Sequence, residues 1–303
     1  VEDQFVAPYH PDTTTFRHTN ARYRDQIQKV DREIGAVVDQ LEADGLLEDT
    51  FVFYFGDHGG VLPRGKGYAY ESGLHVPLVV RVPEKWKSLA PEIGSRQTNF
   101  VSFIDFGPTL LKLAGIPVPK GVDGKPMFGD RGESLAEAET SEPIAFGYAD
   151  RFDEKIDFVR TIRMGEYEYV RSYQPFNFDG LQNNYRYRML AYQEWRTLYQ
   201  AGKLNQAQSQ FFETRPAEAL YHIPSDPHEV ANLADNPKYN EVVKAMRTRL
   251  DEHVKSMPDL SFFPESHLVD EAFDNPVTFG RAQQRLVAEL VDIANFQLID
   301  FAV

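Results

Sequence analysis

Asp57 and His58 stand where an apolar run gives way to a loop: Thr50-Phe51-Val52-Phe53-Tyr54-Phe55 is followed by Gly56-Asp57-His58-Gly59-Gly60. In open α/β sheets, ligand sites collect at the carboxyl ends of strands, where loops project side chains from a fixed backbone. A carboxylate behind so much apolar surface is costly unless paired or bound to a cation, so a divalent metal is the natural partner of Asp57. Taken alone, those residues more often describe a turn with a capping Asp and a solvated His. The segment that follows shifts the balance. Gly65-Lys66-Gly67 sets an ammonium between two glycines that allow close backbone approach, one loop downstream of Asp57. Tyr70-Glu71-Ser72-Gly73-Leu74-His75-Val76 then leads into a second apolar run, Pro77-Leu78-Val79-Val80-Arg81-Val82.

The elements that must hold this loop can be read around it. Ile27, Val30, Ile34, Val37 and Leu41 recur at helical spacing, with Asn20 as the expected N-cap and Gly45 as the stop, so a long amphipathic helix is predicted to pack on something large. The runs 50–55 and 77–82 read as strands buried on both faces, and a helix over Ile104–Leu113 closes at Gly115. Helix, strand, loop, strand, helix predicts an α/β core with helices on a mostly parallel sheet. Beyond about residue 140 the texture changes. Phe158–Arg163 and Tyr167–Tyr173 flank Met164-Gly165-Glu166 as an antiparallel hairpin, and polar helices are expected near Tyr185–Ala201 and Pro237–Lys255. The expected division is an α/β core over 1–140, a smaller C-terminal α+β subdomain over 141–265, and a helical extension over 266–303 on which Leu286, Leu290, Ile293 and Leu298 mark an amphipathic face.

Composition narrows the function classes. A net charge of −14, with none of the 32 Lys and Arg in a long run, argues against a nucleic-acid partner, because phosphate contacts need clustered cations. An anionic ligand must therefore find a local basic pocket in a negative body. No stretch is long and apolar enough for a membrane span, and Val1-Glu2-Asp3-Gln4 lacks the pattern of a signal peptide. With no cysteine there is no disulfide, zinc-thiolate site or cysteine nucleophile.

The ordered series Asp57-His58-Gly59, Gly65-Lys66-Gly67, Tyr70-Glu71-Ser72-Gly73 and Val76-Pro77 resembles the type I, formylglycine-dependent sulfatases of the alkaline-phosphatase-like superfamily. Ile27, Asp31, Gly35 and Gly45–Thr50 are similar to the helix before that strand, and Val101–Leu111, Ala114-Gly115-Ile116 and Asp123-Gly124 to the stretch that closes the family's core. Ala219-Leu220-Tyr221-His222, Asp226-Pro227-His228-Glu229 and Asn232-Leu233-Ala234 look like its C-terminal signature, with His222 in place of the usual Asp. The resemblance runs from about residue 8 to residue 256.

It implies an incomplete sulfatase core, with Asp57 coordinating a divalent cation, Ca2+ in most of the family, that orients a sulfate oxygen. His58 occupies a position where many members carry Asn: it ligates the metal, hydrogen-bonds the sulfate, or marks a softer metal than calcium. Lys66 matches the lysine that contacts the sulfate and offsets charge developing on the transferred group. Arg64 as an anion contact and His75 as a leaving-group neighbour are weaker assignments, each with a structural alternative. The implied reaction is sulfate ester hydrolysis, on a sulfated carbohydrate for preference, in a periplasmic or secreted setting. The family's nucleophile motif, Cys/Ser-x-Pro-x-Arg, does not occur here: Ser141-Glu142-Pro143, Ser225-Asp226-Pro227 and Ser256-Met257-Pro258 lack the arginine. Formylglycine and the family's paired aspartates are therefore expected in an N-terminal half of the same fold, and this chain alone is expected to be inactive and poorly soluble. The rival expectations are a phosphonate or phosphodiester hydrolase of the same superfamily, using manganese or zinc, and a noncatalytic sulfatase-like module.

Overall fold

The structure is a computed structural model that describes residues 1–90, 93–128, 143–296 and 298. Helix α1, Thr14–Ala43, begins where Thr13 accepts a hydrogen bond from the Phe16 N–H at 3.3 Å, and ends before Gly45, whose φ of +68° turns the chain. Asn20, expected as the cap, is a buried residue inside the helix whose amide donates to the Phe5 carbonyl at 2.8 Å. The cap lies earlier because Thr13, two residues after Pro11, already satisfies a first-turn donor. The apolar face of α1 was expected to be covered, yet Ile27, Val30 and Val37 are exposed among the described residues.

Strands β1, Val52–Phe55, and β2, Leu78–Arg81, form a two-stranded sheet in antiparallel register, with Val52 opposite Arg81 and Phe55 opposite Leu78. This corrects the mostly parallel sheet for the described residues. A parallel pair needs a crossover element, and residues 56–77 contain only the one-turn helix α2, Glu71–Leu74, so the chain folds back on itself. Nor are these strands buried on both faces. Phe55 is 42% and Val79 59% exposed, while Phe53 and Phe55 reach Phe106 at the start of α3, Phe106–Leu113.

The second sheet is four-stranded and antiparallel, in the order β3 (Ile144–Ala149), β4 (Val159–Met164), β5 (Tyr167–Ser172), β6 (Glu218–His222). The β4–β5 hairpin pairs Met164 with Tyr167 around Gly165, at φ +49°, as the turn residues indicated. Helices α4 (Leu190–Gln200) and α5 (Gln206–Ser209) precede β6, and α6 (Asn240–Ser256), α7 (Glu265–Glu271), α8 (Pro276–Ala282) and α9 (Gln284–Phe296) follow it. Ile162, Tyr169 and Leu220 of the sheet are sealed against Val243, Met246, Leu250 and Val254 of α6 and Val291 of α9. The inward face of α9 is Val287 and Val291, whereas Leu286 and Ile293 point to solvent.

A second core is aromatic. Trp195 stacks on Phe211 at 4.2 Å and gathers Tyr9, Phe16, Tyr68, Tyr187, Tyr192 and Phe212. The expected boundary near residue 140 falls outside the described residues, and this core crosses it, joining residues 9–16 and 68 to 187–212. The expected extension from residue 266 likewise returns to the second sheet, where Arg171 donates to the Ala294 carbonyl at 2.9 Å.

Candidate active site

The loop after β1 is a close-packed knot. Gly59 donates to the Gly73 carbonyl at 2.9 Å, and a Cβ on Gly59 would lie 1.9 Å from the Ser72 carbonyl oxygen, so only glycine fits. Lys66 N–H donates to the Gly60 carbonyl at 2.9 Å, which brings the Gly-Lys-Gly segment back against the end of β1. Asp57, Lys66 and their glycine context thus belong to one folded loop.

Asp57 emerges from that knot with its side chain 83% exposed, beside His58, whose Nε2 is 3.4 Å from Asp57 Oδ1. His58 Nδ1 lies 2.8 Å from the Gly59 carbonyl oxygen. A carbonyl only accepts, so Nδ1 carries a proton in this contact and Nε2 is the ring nitrogen that faces the carboxylate. An imidazole nitrogen and a carboxylate oxygen so placed can share a proton or a cation. Asp57 and His58 therefore fit as two donors of a cation site, but among the described residues no group of three or more acidic or histidine side chains is placed to complete one. The Lys66 ammonium forms no ion pair among the described residues, although Asp and Glu outnumber Lys and Arg, 46 to 32.

Arg64 is placed differently from the expectation that it contacts an anion. It is buried, its Nη1 and Nη2 donate to the carbonyls of His228 and Glu229 at 3.0 and 2.9 Å, and its guanidinium sits 4.3 Å from the Tyr9 ring centre and 3.5 Å from that of Tyr70. It holds a φ of +62°, a conformation costing about 1–2 kcal/mol outside glycine, and these contacts offset that cost. A guanidinium so occupied ties the loop to the C-terminal half instead of meeting a ligand. His75 stands 78% exposed at the C-terminal end of α2, with Nδ1 2.9 Å from Glu71 Oε2. The hydrogen bond that His75 donates to the Glu71 carboxylate raises the pKa of His75.

Beneath α2 lies a carboxyl cluster that sequence reasoning missed. Glu71, from the Tyr-Glu-x-Gly segment, accepts from Arg163 Nε at 3.1 Å and neighbours the buried Glu168 of β5. The Glu71 N–H donates to Glu229 Oε2 at 2.9 Å, while Glu229 Oε1 is buried without a partner among the described residues. Burial first, then the neighbouring carboxylates, pushes Glu168 well above the usual carboxylate range, and burial carries Glu229 to about 7. The motif residues Glu71 and Glu229 are thus a clasp between the loop and the second sheet. Only Glu168 had no signal in its surroundings.

The C-terminal signature is structural as well. Asp226 accepts from the N–H groups of Val230 and Ala231, and Asn232 accepts from the N–H groups of Leu220 and Ala234. His222, in place of an Asp, meets Ser225 Oγ at 2.7 Å and Glu166 Oε2 at 3.3 Å. No described helix is long and apolar enough to cross a membrane.

The chain is similar to known proteins over most of its length. The Sulfatase family model matches residues 2–116. An ulvan-active sulfatase of Formosa agariphila is 35% identical over 274 residues, which are 90% of this chain and 44% of that protein. Human N-sulphoglucosamine sulphohydrolase is 26% identical over 255 residues, 82% of this chain and 50% of that one. The chain therefore spans about half the length of the curated relatives it matches. Among solved structures, a 2-O GAG sulfatase superposes with a TM-score of 0.54 at 21% identity, covering 82% of this chain and 45% of that one. A protein solved with its substrate D-glucosamine-2-N,6-O-disulfate gives 0.54 at 20% identity, covering 76% and 39%. These last two speak to the fold alone; the sequence matches make the chain a member of the sulfatase and alkaline-phosphatase-like superfamily.

Proposed function

We propose that this chain carries the metal- and sulfate-binding half of a sulfatase active site acting on a sulfated carbohydrate. The observation that carries the reading is the loop 57–67, in which an exposed Asp57, the Nε2 atom of His58 and a Lys66 ammonium without an ion pair among the described residues are presented by one glycine-locked fold. Asp57, with His58 beside it, would hold the divalent cation, Ca2+ for preference because carboxylate oxygen is a hard donor. Formylglycine, contributed from outside this cysteine-free chain, would supply an aldehyde hydrate as nucleophile. Lys66 would lie against the sulfate, where a charge-assisted hydrogen bond strengthens as negative charge develops on the transferring group. His75, raised toward the protonated form by Glu71 and open to solvent, remains the candidate neighbour of the leaving oxygen. Support for a sugar sulfate comes from the relatives, which include an ulvan-active sulfatase and an N-sulphoglucosamine sulphohydrolase.

The test is sulfate release by the full-length protein, produced with a formylglycine-generating enzyme and supplied with calcium, from ulvan oligosaccharides and N- and 6-O-sulfated glucosamines. Asp57→Ala and Lys66→Ala should each lower kcat/KM by roughly 10²–10³-fold or more while leaving the melting curve in place, as expected when a charged transition-state contact is removed. No sulfate release, combined with phosphonate or phosphodiester cleavage in manganese or zinc, would sink the sulfatase reading.

A further inference from the structure

We infer that Arg186 is a positioning residue for the Gly65-Lys66-Gly67 segment, setting from the C-terminal half where the Lys66 ammonium is delivered. The inference rests on the proposed role of Lys66. Arg186 Nη2 donates to two successive carbonyls, those of Lys66 and Gly67, each at 3.2 Å. Its guanidinium is held between two rings, 4.2 Å from the centre of Tyr68 and 4.3 Å from that of Phe152. The arginine backbone is fixed in turn. Its N–H donates to Asn183 Oδ1 at 2.8 Å, and the fully buried Asn183 donates to the Phe152 carbonyl at 3.0 Å. A single planar group therefore fixes the two peptide units on either side of Gly67, the first of which adjoins the Lys66 side chain, while the Lys66 N–H on its other side is held by the Gly60 carbonyl.

Two further observations separate this from ordinary packing. Gly67 has a φ of +76°, and a Cβ there would lie 2.5 Å from Arg186 Nη2, so the glycine and the arginine are fitted to one another. Arg186 Nη1, buried and without a partner among the described residues, is a cost that an apolar side chain filling the same slot between the rings would not incur. What an apolar residue lacks is the pair of bonds to the carbonyls of residues 66 and 67.

The experiment is a double-mutant cycle on sulfate release, run with the full-length protein on the sulfated sugar it cleaves best. Arg186→Ala should lower kcat by roughly 10–100-fold, the penalty of misplacing a catalytic group by about 1 Å. In the Lys66→Ala background the same change should cost less than about 3-fold, because residues acting through one another are not additive. Arg186→Lys should recover part of the rate, since one ammonium can reach one carbonyl. Gly67→Ala, which crowds Nη2 without removing a buried charge, should reproduce the pattern if Arg186→Ala does not fold. An equal fall in both backgrounds overturns the positioning role and leaves Lys66 intact. A Lys66→Ala enzyme that runs at the parental rate overturns both readings.

Discussion

The two sheets are built from similar residues and end in opposite states. In the four-stranded sheet Ile162, Tyr169 and Leu220 are wholly buried under α6 and α9. In the two-stranded sheet the equally apolar Phe55 and Val79 face outward, and α1 carries a bare apolar stripe. A two-stranded ribbon is marginal by itself, so the strand pair that leads into Asp57 cannot be what makes the site rigid. The ties of the loop run instead to the C-terminal half. Arg64 reaches residues 228 and 229, Glu71 reaches Arg163 and Glu229, Tyr70 donates to Asp179 at 2.6 Å, and Arg186 reaches back to residues 66 and 67. Position in the sequence assigns the loop to the first sheet, and the polar contacts assign it to the second.

That contrast can be broken or sharpened by substitution. Leu220→Ala should destabilise by about 2–5 kcal/mol in chemical denaturation, the usual cost of an aliphatic cavity in a closed core. A value below 1 kcal/mol would place the second sheet on the same footing as the first. The clasp between the halves should respond to pH. Glu229, held near 7 in the fold and near the ordinary 4.5 when unfolded, binds more protons folded than unfolded between those values. Stability should therefore fall as pH rises from about 4.5 to 7, and Glu229→Gln should remove roughly 1–3 kcal/mol of that slope, read by denaturation at pH 5 and 7.5. An unchanged slope would show that Glu229 is not the group that titrates there. The smallest effect is expected of Val79→Ala, under about 0.5 kcal/mol in this chain because the side chain is already in water. A rise above about 1 kcal/mol in a longer polypeptide would show that the face is covered there.

Much of this was legible along the chain. Gly45 and Gly115 end their helices because a left-handed residue stops the ladder, and Gly165 makes the β4–β5 turn for the same reason. The relative direction of β1 and β2 was not legible, since an unbroken apolar run reads alike in parallel and antiparallel sheets. Neither was the role of Arg64, which looks like any loop arginine until residues 228 and 229 are placed beside it. Arg186 carries no motif at all, only two tyrosines on either side, and its partners lie 119 and 120 positions away. Side chains that hold a site from a distance leave no local periodicity to detect.

The left-handed turn at Arg64 has a consequence in time. Its two carbonyl partners lie 164 and 165 residues further along the chain, so during synthesis the strained loop has nothing to hold it until those residues leave the ribosome. At about 5–20 residues per second that interval is roughly 8–33 seconds, far longer than a loop takes to sample its conformations. Lys66 is thus translated well before the residues that fix its loop, and any factor that shields the nascent 57–75 segment acts within that window.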